Sequence, residues 1–110
     1  MIKGLKVLYL EGNAIKKIEG LEKLTNLRCL YLHENLILKI EGLDTLTELV
    51  NLNLTDNMIE TVEGLGNLPK LSNLQLKRNR IGGNGIEDVK GLLECPKVSA
   101  LDISDNKIAD

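Results

Sequence analysis

Apolar residues recur along the chain in a fixed frame, Leu-x-x-Leu-x-Leu-x-x-Asn-x-Ile, with polar residues at most of the intervening positions. An asparagine marks each of five copies, and the copies are spaced by 22 residues except for the last, which follows after 27: Asn13, Asn35, Asn57, Asn79 and Asn106. A fixed period of this length indicates a repeat protein in which each copy, here called a coil, is one structural unit. We expect residues 1–110 to form a single domain.

The two halves of each coil predict different local structures. The Leu-x-Leu pair predicts a short β-strand, since successive side chains alternate and both leucines face the same way. Strands of neighbouring coils would stack about 4.8 Å apart as a parallel sheet over a continuous core. The second half has neither strand nor helix periodicity, which favours a turn or short 3₁₀ segment on the convex side. The sequence therefore predicts an α/β solenoid of five repeats with a concave parallel sheet.

The repeated asparagines are predicted to be structural. A side-chain amide has both donors and an acceptor, so at the bend after each strand it can bond backbone groups of its own coil and of the adjacent one. This prediction applies to the whole column of asparagines, which we call the asparagine ladder.

The fourth coil is longer than the others by five residues within residues 82–88. Its glycines lack the Lys-Ser or acidic partner of a nucleotide-binding loop. We predict instead a short helix that is capped by Asn84 or Gly85 and ends at Pro96. The residues expected to face the core from this helix are Ile86, Val89 and either Leu92 or Leu93.

Composition excludes several functional classes. The chain has 14 Lys+Arg and 16 Asp+Glu, a net charge of −2, so no nucleic-acid partner is expected. Its apolar runs are far too short to span a membrane, and the N-terminus has no signal pattern. Cys29 and Cys95 cannot form the disulfide framework of a small secreted domain, which favours the cytoplasm.

No catalytic or metal chemistry is predicted. His33 is the only histidine, and no second imidazole or thiolate cluster accompanies it. Cys29 lies near it in sequence, but nothing in the pattern supplies a pocket or an oxyanion donor. We therefore expect no enzyme activity, no cofactor and no metal.

The residues between the leucines are predicted to face the concave side and to carry the function. Tyr9 and Tyr31 fall on neighbouring strands, and exposed aromatic residues with a polar tip are enriched at protein interfaces. The predicted partner-binding patch combines these tyrosines with Val7, Cys29 and His33. A second interpretation, compatible with the first, is that the tyrosines stack and stiffen the sheet. The basic pair Lys77 and Arg78 either tunes specificity at the rim or only aids solubility.

Two other features concern what lies next to the domain, namely an apolar column on its surface and incomplete coils at its two ends. Ala14, Leu36 and Met58 form an apolar column after the asparagines, with Leu38 beside it, and this column is either a lateral partner site or covered by flanking sequence. Ile2 fits the frame of a preceding coil, and the last coil is incomplete. We therefore expect the chain to be part of a larger protein.

The frame resembles the leucine-rich repeat, and the 22-residue spacing with a Gly-Leu-x-x-Leu second half resembles its Sds22-like subclass. Residues 30–37 (LYLHENLI), 52–63 (LNLTDNMIETVE) and 95–108 (CPKVSALDISDNKI) are similar to the axonemal dynein assembly factors. This resemblance implies a non-catalytic protein of the cytoplasm, or of the cilium or flagellum, whose partners are dynein subunits or assembly co-factors. The alternatives are an Sds22-like regulatory subunit of a protein phosphatase and a leucine-rich spliceosomal subunit; the oligomeric state stays open.

Overall fold

A computed structural model describes residues 4–108, in which five strands of three residues each follow one another along the chain. The strands are β1 (Val7–Tyr9), β2 (Cys29–Tyr31), β3 (Asn51–Asn53), β4 (Asn73–Gln75) and β5 (Ala100–Asp102). They form one parallel sheet in the order β1-β2-β3-β4-β5, so each strand pairs only with its neighbours in sequence. The predicted solenoid is confirmed, whereas Ile2 lies outside the described residues.

The register of the sheet follows the sequence period. Leu8 pairs with Leu30 and Leu30 with Leu52, which is a shift of one repeat at each step. The strand hydrogen bonds continue beyond the strand ends, where the Leu32 N–H donates to the Asn53 carbonyl at 2.9 Å. Equivalent residues are thereby stacked in straight columns across the sheet.

The core is aliphatic and lies between the sheet and the convex segments. The central strand leucines Leu30, Leu52 and Leu74 are at most 1% exposed, and they pack in one cluster with the isoleucines that follow the asparagines. Leu101 occupies the same position on β5 but is 42% exposed, because β5 pairs with only one strand in the described part of the chain.

The convex segments of the first three coils are pairs of successive turns of 3₁₀ type. In the first coil, for example, the Leu24 N–H donates to the Leu21 carbonyl at 3.0 Å and the Leu27 N–H to the Leu24 carbonyl at 3.1 Å. Glycine is required just before these turns. Gly64 has φ of +70°, and a Cβ built on it would lie 2.4 Å from the Ile40 carbonyl oxygen of the preceding coil.

The fourth convex segment holds a nine-residue 3₁₀ helix, Ile86–Glu94, in place of a turn. As expected, Val89 and Leu92 pack against the core. The expectation for Ile86 is wrong, since its side chain is 72% exposed, and Leu93 is 85% exposed. The helix ends before Pro96, in agreement with the restriction that proline places on the preceding residue.

Asp88, and not Ile86, is the buried residue of the first helical turn. Asp88 is 5% exposed, and its Oδ2 accepts a hydrogen bond from the Asn84 N–H at 3.0 Å. About three residues per turn place Ile86 in line with Val89, but Ile86 is the first residue of the helix and lies beside Gly82 and Gly85 of the preceding loop instead of in the core. Gly85 stands at the N-cap, which is one of the two predicted positions, and no side chain caps the helix there.

Each inner member of the asparagine ladder bonds two coils. The Asn35 Oδ1 accepts from the Asn13 and Ile15 N–H groups of the preceding coil, both at 2.9 Å. Its Nδ2 donates to the carbonyls of Leu10 and Leu32, both at 3.0 Å. Asn57, Asn79 and Asn106 make the equivalent bonds to both coils. Within residues 4–108, the side chain of Asn13 bonds only carbonyls of its own coil.

Candidate functional site

The concave face of β1 and β2 presents a stacked pair of tyrosines. Tyr9 and Tyr31 are direct partners in the sheet, and their rings lie 4.8 Å apart with an interplanar angle of 10°. Tyr9 is 65% exposed, while Tyr31 is partly buried. Burial, with smaller contributions from Cys29 and Tyr9, raises the pKa of the Tyr31 hydroxyl. The pair therefore stacks and, at the same time, leaves one ring available to a partner.

Three further predicted residues adjoin this pair. Val7 and Cys29 face each other across β1 and β2, and Val7 is 38% exposed. His33 lies edge-on to the Tyr31 ring at 6.3 Å, and within residues 4–108 its buried Nδ1 atom has no hydrogen-bond partner. We call Val7, Tyr9, Cys29, Tyr31 and His33 the aromatic cluster.

The predicted basic pair lies apart from the aromatic cluster, after β4. Arg78 is committed to an ion pair with Asp56, with 2.9 Å between Nη2 and Oδ2. The two residues occupy the same position in consecutive coils and have similar positive φ values, 55° and 58°. Lys77 is partly buried beside Arg78. The structure thus does not join the basic pair and the aromatic cluster into one patch.

We expect the ion pair between Arg78 and Asp56 to make a pH-dependent contribution to the stability of the fold. The hydrogen bond from Arg78 lowers the pKa of the Asp56 carboxyl, so the pair stabilises the fold above the unfolded-state pKa of about 3.9 and loses this effect as pH falls through the folded-state value. We expect Asp56→Asn to lower the urea midpoint slightly at neutral pH and to match the wild type in strong acid. Both side chains are at least a third exposed, so salt should shrink the difference. Glu34→Gln, at the same position one coil earlier, is the control, and an equal shift in that variant would contradict the pairing.

Between the aromatic cluster and the basic pair lies a group of four neutral amides that sequence reasoning did not single out. Asn51 and Asn53 on β3 face Asn73 and Gln75 on β4, and all four are partly exposed. Together with Tyr31 and Leu52 they line a shallow depression of about 160 Å³. We call these four residues the amide cluster. The signal was present in the sequence as two concave columns that change from apolar and aromatic to amide at the third coil.

The described part of the chain shows no cluster suited to metal binding. Among residues 4–108, no three side chains of histidine, cysteine, aspartate or glutamate converge on one point. Cys95 is 3% exposed in the core, and burial raises the pKa of its thiol, so it contacts neighbours as an apolar residue. Nor does this part of the chain contain a helix with the length and apolar character needed to cross a bilayer.

Comparison with known proteins agrees with the fold. Residues 3–45 match the family model described as leucine-rich repeats (2 copies). No curated protein sequence matches the chain. Among solved structures, internalin C2 of Listeria monocytogenes is 32% identical with a TM-score of 0.87, over 99% of this chain and 46% of its own.

A second internalin of Listeria monocytogenes, inlF, is also 32% identical, with a TM-score of 0.81 over 96% of this chain and 30% of its own. The chain thus spans less than half the length of either internalin. The repeat frame, the sheet register and these similarities agree: the chain has the leucine-rich-repeat fold, a solenoid like that of the internalins.

Proposed function

We propose that this domain is a non-catalytic module that binds another protein through its concave face, with the aromatic cluster as the main contact. The observation that carries the proposal is Tyr9, a large aromatic side chain that is 65% exposed on a rigid sheet. Solenoids commonly bind partners in their concave surface, and tyrosine is enriched among residues that dominate interface energies.

The stacking of the two tyrosines favours binding energetically. Tyr31 supports the Tyr9 ring at 4.8 Å, so little side-chain freedom is left to lose when a partner covers the pair. Val7 and Cys29 extend the apolar surface alongside the rings. The aromatic cluster therefore offers a preformed apolar surface with hydroxyl groups available for hydrogen bonds.

The double substitution Tyr9→Ala and Tyr31→Ala tests this proposal. We expect at least a tenfold loss of affinity for a partner captured by the parent protein, since hot-spot residues contribute about 2 kcal/mol or more. The fold should survive, because an aromatic pair adds only about 0.5–1.5 kcal/mol beyond its burial. Affinity would be measured by titration calorimetry.

Leu38→Ala is the matched control, since Leu38 is 59% exposed but lies outside the aromatic cluster. We expect its affinity to equal that of the wild type. If Leu38→Ala abolishes binding while the double tyrosine variant retains it, the partner site is the lateral apolar column and the proposal is wrong.

A finer proposal concerns the cellular process. On the resemblance in residues 30–37, 52–63 and 95–108, we infer that the parent protein assists the cytoplasmic preassembly of axonemal dynein arms. Tagging the parent protein in a flagellated cell should recover dynein subunits or assembly co-factors, and its deletion should give axonemes that lack dynein arms. Recovery of a protein phosphatase, or of spliceosomal proteins from the nucleus, would instead favour one of the two alternatives.

A further inference from the structure

The amide cluster is not used by the aromatic contact, and its hydrogen-bonding capacity is only half consumed. Asn51 Nδ2 donates to the Cys29 Sγ at 3.3 Å, and Asn53 Oδ1 accepts from the Thr55 N–H at 3.1 Å. Gln75 Nε2 donates to Asn73 Oδ1 at 2.6 Å. Within residues 4–108, these bonds leave the side-chain oxygens of Asn51 and Gln75 and the amide nitrogens of Asn53 and Asn73 without partners, and all four residues line the depression.

The four remaining groups are two acceptors and two donors, and they alternate. Asn51 offers an acceptor beside the donor of Asn73, and Asn53 offers a donor beside the acceptor of Gln75. An anion would need donors alone and a cation acceptors alone, so neither matches this set. A peptide unit presents one N–H and one C=O, which is what each cross-strand pair of amides can satisfy.

The spacing of the amides also matches an extended chain. Asn51 and Asn53 are two positions apart on β3, as are Asn73 and Gln75 on β4. This spacing corresponds to about 6.6 Å along each strand. An extended peptide presents its N–H and C=O groups to one side at the same two-residue interval. The depression has no charged lining residue, and Tyr31 of the aromatic cluster lines one side of it.

We propose that the amide cluster binds the backbone of an extended, uncharged peptide segment of the protein partner. This inference rests on the proposed function, since it specifies how a partner held on the concave face is recognised. The amides hydrogen-bond the peptide backbone, and a side chain of the segment packs against Tyr31. The partner thus contributes a linear segment to this part of the face and not a folded surface.

The test uses an immobilised array of short linear peptides and a parallel array of oligosaccharides as probes. We expect the wild-type domain to bind uncharged peptides, and the best peptide to lose at least about tenfold in affinity for the double variant Asn53→Ala and Asn73→Ala, which removes two backbone hydrogen bonds. Asn67→Ala, which removes an exposed amide on the convex side, should bind as the wild type does. The urea midpoint of each variant shows that it is folded.

A second measurement separates backbone from side-chain recognition. Two N-methylated forms of the best peptide are compared, one methylated at the odd-numbered residues and the other at the even-numbered residues. Methylation of the N–H groups that point toward the amide cluster should abolish binding, and methylation of those that point away should leave it unchanged. Binding of oligosaccharides but no peptide, or peptide affinity that is insensitive both to N-methylation and to the double amide variant, would overturn the inference. If a folded partner binds through Tyr9 and Tyr31 and ignores the amide variant, the inference fails while the proposed function stands.

Discussion

Replacing Gly64 by alanine is expected to destabilise the domain by about 2–5 kcal/mol, because two separate penalties act at this position. The left-handed backbone, with φ of +70°, costs an alanine about 1–2 kcal/mol. The new Cβ would also lie 2.4 Å from the Ile40 carbonyl oxygen, so neighbouring coils must separate, at a further cost of about 1–3 kcal/mol. Urea unfolding at constant m-value measures the sum.

Two other glycines isolate the two penalties. Gly20 has φ of +78° but nothing within 4 Å of its Cβ position, so Gly20→Ala should incur the backbone cost alone. Gly91 has no positive φ, yet its Cβ would lie 2.1 Å from the Val62 carbonyl oxygen, so Gly91→Ala should incur the contact cost alone. Equal losses for Gly20→Ala and Gly64→Ala would show that the close approach of the coils has no energetic consequence.

Replacing Asn57 by leucine is expected to destabilise the domain by about 1–3 kcal/mol, which is the cost of one unsatisfied buried donor. The orphaned donor is the Ile37 N–H, which donates to Asn57 Oδ1 at 3.0 Å. The carbonyls that lose Asn57 Nδ2 keep another partner: Leu32 retains Asn35 Nδ2 and Leu54 retains Asn79 Nδ2. The sharing of carbonyls between successive asparagines therefore limits the damage from any single substitution.

Asn13→Leu is the control for this prediction. Asn13 is exposed, and within residues 4–108 its side chain donates only to the Leu10 and Glu11 carbonyls of its own coil, where water can replace it. We expect a loss below about 1 kcal/mol for this variant, measured by the same urea titration. A comparable loss for Asn13→Leu and Asn57→Leu would mean that the ladder acts only within each coil.

The strands, their order and their core could be predicted because they depend on a repeated pattern. Leu30 and Leu52 fill equivalent positions, so one correct inference about a coil applies to all of them. The exposure of Ile86 could not be predicted, since Ile86 begins the one helix within residues 4–108 and the other coils have no equivalent position. Where a segment departs from the repeat, the other coils give no guide to its structure. Its conformation then depends on local contacts that the repeat pattern does not show.

The candidate site was predictable to a similar degree. The position of Tyr9 beside Tyr31 follows from the period alone, as does the alignment of Asp56 with Arg78. The free donors and acceptors of the amide cluster do not follow from the period, because they depend on which atom of each amide already has a hydrogen-bond partner. The sequence shows which residues share a face, but not which of their hydrogen-bonding groups are free.

The linear order of the sheet also affects how the molecule comes apart. Since β1 contacts β2 but none of the later strands, and β5 contacts only β4, no contact between distant strands holds either outer coil in place within residues 4–108. An end coil can fray and re-form while the middle of the chain stays intact. Amide protons should therefore exchange with solvent fastest at the two ends and slowest around β3.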